Sequence, residues 1–491
     1  MSTEPVVAGG RRKGLTGVAV IAILCLLAAG LAIANLVAPP RLQSIDVNPE
    51  LLISRASQRA QLHLSQPVAE VAAGAVRVTP ETPIDVTSEA GTLTVRFLDA
   101  LRTDTQYRVT ARVTGAATGS TGAVTATFRT PDPWTHTLAR GDAGDRVLAH
   151  RLGDPSSTRT VFEAPRIQEY AEASTGLTVI TRGDDGAAEL TVHDGDAPPF
   201  RIMGAPELGQ LRSEALGGVL GVVASGRGDD GTQYDRTLLI IDPRTRIVET
   251  VSDSSGAALP VRDWRFVPGT TSVVFQTPDG KLHGWEAAPT PRSFELGVSG
   301  DLLGFAPGST GLAVAAGTQS AIIDLSGMAT GALGSGDGEL PASTPLPVAA
   351  ASGSDPDPRS VLALSETSVL WRSGASVGPV GSQGASRDGG DARSAGSALG
   401  DGSRSRGSAL LVKDSSGARE VFRPAADGTA IGRVCLSPNG EFAAVETISS
   451  EGQPDDVPVA PGSSHTTTRY VRIADGATMR SAVGGLSDWC R

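Results

Sequence analysis

Two spacings of apolar residues divide this chain. From Gly14 to Ala38 they run on almost unbroken, and between Leu15 and Ala34 only Thr16 is polar. Beyond residue 40 they come in short runs that alternate with polar residues and are cut by turn dipeptides, a strand signature. The stretch Val261–Glu286, VRDWRFVPGTTSVVFQTPDGKLHGWE, is typical. Asp263–Phe266 predicts a strand and Pro268-Gly269 turns it. Ser272–Gln276 runs back, Asp279-Gly280 turns again, and Leu282–Glu286 forms a third strand. Runs joined this way form antiparallel meanders, and the fold class expected is all-β.

The apolar run spans about 30 Å as a helix, the thickness of a bilayer's apolar layer. Arg11, Arg12 and Lys13 precede it and Pro39-Pro40 follow. The positive-inside rule then makes residues 1–13 a cytoplasmic tail, residues 14–38 a transmembrane helix, and the rest extracytoplasmic. The rival is a cleaved signal peptide, because Ala32-Ile33-Ala34 has the A-x-A form of a cleavage site. The run is longer than a usual signal core, which favours the uncleaved anchor.

Residues 41–131 alternate with period two at Ser44–Val47, Ala60–Leu64, Ala75–Val78, Leu93–Phe97, Tyr107–Val113 and Val124–Phe128. One buried and one wet face per strand is the pattern of a two-sheet sandwich. The runs Leu62-His-Leu-Ser-Gln-Pro-Val68, Leu101-Arg-Thr-Asp-Thr-Gln-Tyr107-Arg-Val109 and Thr127-Phe-Arg-Thr130-Pro131 resemble the bacterial Ig-like domains of the SbsA type, with Leu64 where those domains carry Phe. That resemblance implies a surface spacer or adhesion module. Tyr107 is expected to pack at the sandwich end.

From Trp134 to Arg491 the strand-turn unit repeats at intervals suited to propeller blades. Second strands are expected at Leu177–Ile180, Val219–Val223, Val273–Gln276, Leu312–Ala315, Val361–Leu364 and Phe442–Val445. The turns Phe266-Val-Pro268-Gly269, Phe305-Ala-Pro307-Gly308 and Leu436-Ser-Pro438-Asn-Gly440 resemble those of WD40-like and TolB-like β-propellers. The Trp-Asp pair of true WD40 repeats is missing, so the TolB-like group is the better likeness. Small meanders cannot bury both faces alone and must stack about an axis. With Gly485–Cys490 as the inner strand of a blade completed by Trp134–Ala139, Val147–Arg151 and Thr160–Glu163, residues 134–491 give a β-propeller of about seven blades. Eight is the alternative, if Ala409–Lys413 and Glu420–Arg423 form an extra pair. Residues 373–408, nearly all Gly, Ser, Ala, Asp and Arg, are expected to be a disordered insert, and Ser450–Thr467 a smaller one.

Composition narrows the function. Of the 53 acidic and 42 basic residues, removing Glu4, Arg11, Arg12 and Lys13 leaves 52 and 39 outside the membrane. An acidic exterior without a basic stripe excludes nucleic acid as a partner. Beyond Cys25, in the apolar run, only Cys435 and Cys490 remain. Outside the cell they are placed to form one disulfide, the alternative being two buried thiols.

Motifs for chemistry are thin. Gly374-Ala-Ser376-Val-Gly378 matches a nucleophile elbow but is followed by a Ser/Gly tract rather than a helix. Residues His63, His136, His150, His193, His283 and His465 form no metal-ligand spacing. The paired acids of Gly183-Asp-Asp-Gly186 and Gly228-Asp-Asp-Gly231 read as hairpin turns before calcium ligands. Asp263, Asp301 and Asp488 fall at expected inner-strand positions and read as structural caps. No catalytic, cofactor or metal residue is nominated and no cofactor is expected. The expected function is a membrane-anchored extracytoplasmic binding or scaffold protein whose propeller meets an envelope protein or glycan. The alternative is a cell-envelope hydrolase or lyase with its site in the propeller channel.

Overall fold

The computed structural model describes residues 20–26, 38–195, 197–214, 217–253, 255–287, 291–329, 341–347, 358–373, 408–426, 428–457, 459 and 461–490. Within the apolar run, residues 20–26 are helical. The remainder of the expected anchor before residue 38 and the tail 1–13 lie outside the described residues. Among the described residues no helix is long and apolar enough to cross a membrane.

Contacts divide the chain into two compact units. The first holds the residues up to Pro49, Ser57–Leu98 and Thr105–Arg129; the second holds Glu50–Ala56, Asp99–Asp104 and Thr130–Arg491.

The first unit contains β1 (Leu42–Val47), β2 (Arg59–Leu64), β3 (Val76–Thr79), β4 (Ile84–Glu89), β5 (Thr92–Phe97), β6 (Gln106–Thr114) and β7 (Thr121–Arg129). They form two antiparallel sheets, ordered β1-β2-β5-β4 and β3-β6-β7. Along β6 the alternation is complete: Tyr107, Val109, Ala111 and Val113 are buried, and Gln106, Arg108, Thr110 and Arg112 are exposed. The inward faces share one core, since Phe97 of one sheet meets Phe128 of the other edge-on at 5.9 Å and Tyr107 stacks on Phe128 at 5.6 Å. Strand β4 had no signal in the sequence analysis. It is a sheet edge preceded by Pro80 and Pro83, with no residue fully buried, so its apolar pattern is weak.

The second unit begins with a three-stranded sheet of β8 (Trp134–Ala139), β9 (Asp145–Arg151) and β10 (Arg159–Ala164). Four-stranded meanders follow. They are β11–β14 (Ile167–Ala173, Gly176–Arg182, Ala188–His193, Phe200–Ala205) and β15–β18 (Glu207–Ser213, Leu220–Arg227, Gln233–Asp242, Ile247–Thr250). Next come β19–β22 (Asp263–Phe266, Val273–Gln276, Lys281–Glu286, Arg292–Ser299) and β23–β26 (Asp301–Phe305, Gly311–Ala316, Gln319–Asp324, Ser343–Pro345). The last are β27–β30 (Val361–Ser365, Ser368–Ser373, Ala409–Asp414, Gly417–Phe422) and β31–β34 (Ala430–Leu436, Phe442–Ile448, Thr466–Arg472, Thr478–Val483).

First strands of successive sheets touch: β11 with β15, β15 with β19, β19 with β23 and β23 with β27. The chain then returns to its start, with β34 against β8 and Gly485 bridged to Leu138. Apolar side chains fill the spaces between neighbouring sheets. Ile180 and Leu190 meet Leu208 and Val222, Val274 and Leu282 meet Leu302 and Ile323, and Leu370 and Leu410 meet Ile431 and Val445. Small meanders stacked face to face and closed on themselves make a β-propeller. The Pro-Gly turns join first to second strands, and Gly269, Gly308 and Gly440 there have φ of 83°, 65° and 67°, a region that suits glycine.

Four expectations change. Val361–Ser365 is the first strand of its sheet, not the second. Ala409–Asp414 and Gly417–Phe422 complete that same sheet, so they are not an extra pair. The long insert splits the sheet between its second and third strands, which hid the pairing; residues 374–407 lie outside the described residues. The segment Gly485–Cys490 is not a full inner strand: Gly485 alone pairs with β8, and Asp488–Cys490 is a 3-10 turn. Finally, much of 450–467 is held in place rather than loose. Pro454 bridges Ser463, Arg140 binds Asp455 at 3.1 Å, Arg166 binds Asp456, and Val459 lies over Gly209.

Candidate functional site

Chemistry concentrates where the ring closes. On β8, Leu138 N–H donates to Gly485 O at 2.8 Å, and Gly485 N–H donates to Leu138 O at 3.0 Å. Gly484 must be glycine, since its φ is 98° and a Cβ there would sit 2.4 Å from Leu138 O. Leu486 N–H then donates to Glu446 Oε1 at 2.6 Å, and the buried Tyr170 hydroxyl donates to Leu486 O at 2.7 Å. Cys490 is joined to Cys435 by a disulfide with Cα atoms 5.0 Å apart. Trp489 packs edge-on against Tyr470 at 5.0 Å. Burial pushes the Tyr470 phenol above its ordinary value, with the Asp488 charge adding to the effect.

These ties fix Asp488 beside the buried imidazole of His136. Asp488 Oδ2 lies 3.4 Å from Nδ1, and Glu172 Oε1, from β11, lies 3.1 Å from Nε2. The Tyr170 ring meets the imidazole edge-on at 6.5 Å. Three elements therefore bring one imidazole and two carboxylates together.

Behind this cluster lies a second histidine. Thr137 hydroxyl donates to Val483 O at 2.7 Å, so its oxygen accepts from His150 Nε2 at 2.9 Å. Thr158 Oγ1 accepts from Arg480 Nη2 at 2.6 Å, leaving its proton for His150 Nδ1 at 3.2 Å. Both partners thus fit a neutral ring protonated on Nε2. Burial lowers the His150 pKa to about 4, and the positive charges of Arg480 and His136 add to this.

From β11 to β27, polar side chains on or beside the first strands tie one sheet to the next. Gln168 donates to Leu208 O, Glu169 Oε2 accepts from Leu211 N at 2.6 Å, and Gln210 donates to Arg262 O at 2.9 Å. Asp263 takes Arg212 at 3.1 Å and Arg265 at 2.6 Å, and Asp301 takes Arg262 at 3.2 Å and Arg359 at 2.7 Å. Burial alone would raise the Asp263 carboxyl, but Arg265 and Arg212 outweigh it and hold it below the usual range. Asp263 and Asp301 are cross-ties between sheets; Asp488 alone of the three joins a cluster with histidine.

Elsewhere the paired aspartates serve their own hairpins. Asp185 Oδ1 accepts from Ala187 N at 3.0 Å and Asp230 Oδ1 from Thr232 N at 2.9 Å, while Gly186 and Gly231 take φ near +80°. His193 lies against Phe162 at 4.4 Å and His283 stacks on Phe275 at 5.2 Å, and burial lowers the pKa of both. Residues 374–378, which carry the elbow motif, lie outside the described residues. The sequence analysis missed Glu172 and the meeting of His136 with Asp488. They are 352 positions apart, and only ring closure joins them.

No family profile and no curated protein matches this sequence. Among solved structures, the chain is similar to the dihydro-heme d1 dehydrogenase NirN in complex with DHE at 14% identity and a TM-score of 0.41, over 72% of this chain and 74% of that one. It is similar to the β-propeller domain of the trilobed protease from Pyrococcus furiosus at 9% identity and a TM-score of 0.38, over 75% and 90%. It is also similar to apo AztD from Citrobacter koseri at 13% identity and a TM-score of 0.35, over 72% and 82%. Likenesses this distant carry no ligand, reaction or residue role to this chain, and the propeller rests on the sheet order described above.

Proposed function

We propose that the chain is a single-pass membrane protein that displays an extracytoplasmic binding or scaffold module. In this reading residues 14–38 anchor it, residues 41–131 form an Ig-like spacer of the SbsA type, and residues 134–491 form a propeller head of about seven blades. The observation that carries the binding role is the way the ring is tied. Backbone pairs, buried carboxamides, ion pairs between first strands and a disulfide give a platform that loses little entropy when a partner docks. The acidic exterior turns the choice of partner toward envelope proteins or neutral and basic glycans. Crosslinking on intact cells, followed by identification of what co-purifies with the full chain, tests this. One defined partner supports it, and the absence of any specific partner over an uncrosslinked control overturns it. Protease added to intact cells should cleave the region beyond residue 40; full protection would refute the topology.

A second reading, an envelope hydrolase or lyase, is favoured by the convergence of His136, Glu172 and Asp488. Turnover of a glycan or peptide library, lost in His136→Gln, would support it over binding alone.

A further inference from the structure

The cluster at the ring closure has the composition of a metal site. We propose that His136, Glu172 and Asp488 together bind one divalent transition-metal ion. One ligand atom from each residue lies within 4.8 Å of the others. Glu172 lies at Nε2 and Asp488 at Nδ1. An imidazole gives one nitrogen to an ion, so binding requires one carboxylate to rotate toward the other's side of the ring to reach the bond lengths of about 2.0–2.2 Å that zinc makes to nitrogen and oxygen. One imidazole with two carboxylates suits Zn²⁺ or Mn²⁺, whereas Mg²⁺ and Ca²⁺ take shells of oxygen.

Charge points the same way. Two carboxylates around one imidazole are net negative whether or not the ring is protonated, and a dication balances them. The backbone under each donor is also fixed before any ion arrives. β8 is pinned by Gly485, Asp488 lies two residues from the Cys490 crosslink, and Tyr170, two residues before Glu172, bonds Leu486 O. Donors held this way bind metal without a large ordering cost. Access is one-sided: the side chains of His136 and Asp488 are 5% and 17% exposed, and that of Glu172 is 57% exposed. An ion would enter past Glu172 and keep water on that side, as in sites with three protein ligands and an exchangeable fourth. The competing reading is a hydrogen-bonded tie with no affinity for metal.

Titration of the chelator-stripped full-length protein in detergent with Zn²⁺ alone, followed by calorimetry, separates the two. The expected result is one equivalent bound, weakened about tenfold or more by Glu172→Gln and by Asp488→Asn and abolished by His136→Gln. Glu172 is exposed, so Glu172→Gln should keep the metal-free melting temperature and serves if His136→Gln does not fold. Co²⁺ should give visible absorption bands in the parent that Glu172→Gln shifts or loses. Absence of a saturable equivalent, or the same isotherm in the parent and in Glu172→Gln and Asp488→Asn, overturns the proposal.

Discussion

Substituting Gly221 with alanine tests whether the propeller core is as close-packed as the sheet contacts imply. Gly221 lies on β16, and a Cβ built there falls 2.2 Å from Trp264 Cη2 and 2.6 Å from Cζ2. The indole cannot easily retreat. It is fully buried, its Nε1 donates to Gln210 O at 3.2 Å, Phe266 meets it edge-on at 5.0 Å, and the Arg212 guanidinium lies 5.3 Å from the ring centroid. One methyl group therefore forces strand or ring to shift by on the order of 1 Å in a close-packed interior. Overpacking of this kind costs about 1–3 kcal/mol. Urea unfolding followed by tryptophan fluorescence should show a lower midpoint for Gly221→Ala at an unchanged slope. Trp264→Leu, which leaves space, should cost about 3 kcal/mol alone. Combined, the two changes should cost at least about 1 kcal/mol less than the sum of the single ones, because the methyl then occupies the vacated volume. A Gly221→Ala protein within about 0.5 kcal/mol of the parent, or additive effects in the double variant, would refute this packing.

Three further outcomes are expected. Cys490→Ser opens a loop whose ends are 55 positions apart; it should lower stability by about 4 kcal/mol in the chain-entropy model, and a denaturation midpoint equal to that of the oxidised parent would count against this. His150 is held near pH 4 when folded against 6.5 unfolded, so it binds fewer protons folded than unfolded within that window. Its contribution is complete above about pH 6.5 and falls away as the pH drops toward 4, by roughly 1–3 kcal/mol after allowance for screening. His150→Gln should flatten the stability profile there, and an unchanged slope would remove His150 as its source. Asp455→Asn loosens the loop from Arg140, and limited proteolysis should then cut within 450–465 faster than in the parent; equal cleavage rates would argue that Asp456 and Val459 suffice.

Much of the architecture was legible because burial and alternation coincide. Along β6 each apolar residue is inside and each polar one outside, and the Pro-Gly and Asp-Gly turns mark hairpins whose glycines need positive φ. Where burial is partial, as in β4, the signal fades. Where an insert separates paired strands, as between β28 and β29, local pattern cannot show which sheet they join. The ring-closure cluster was invisible for a different reason. His136, Glu172 and Asp488 look like isolated polar residues in unrelated segments, and nothing local marks their convergence. The loop 450–465 misled by composition: its Pro, Gly and Ser content suggested disorder, but Asp455 and Asp456 are met by Arg140 and Arg166.

The bond between Gly485 and Leu138 has a temporal side. Sheets one by one can form as the polypeptide emerges, yet the first, with only three strands of its own, waits for residues made some 345 positions later. Until those residues arrive, the first and last sheets each leave an apolar face uncovered, the condition in which chains of this kind stick to one another or to chaperones. Completion of the propeller is therefore a late event, and a cut or substitution near residue 485 should harm yield more than its few atoms suggest.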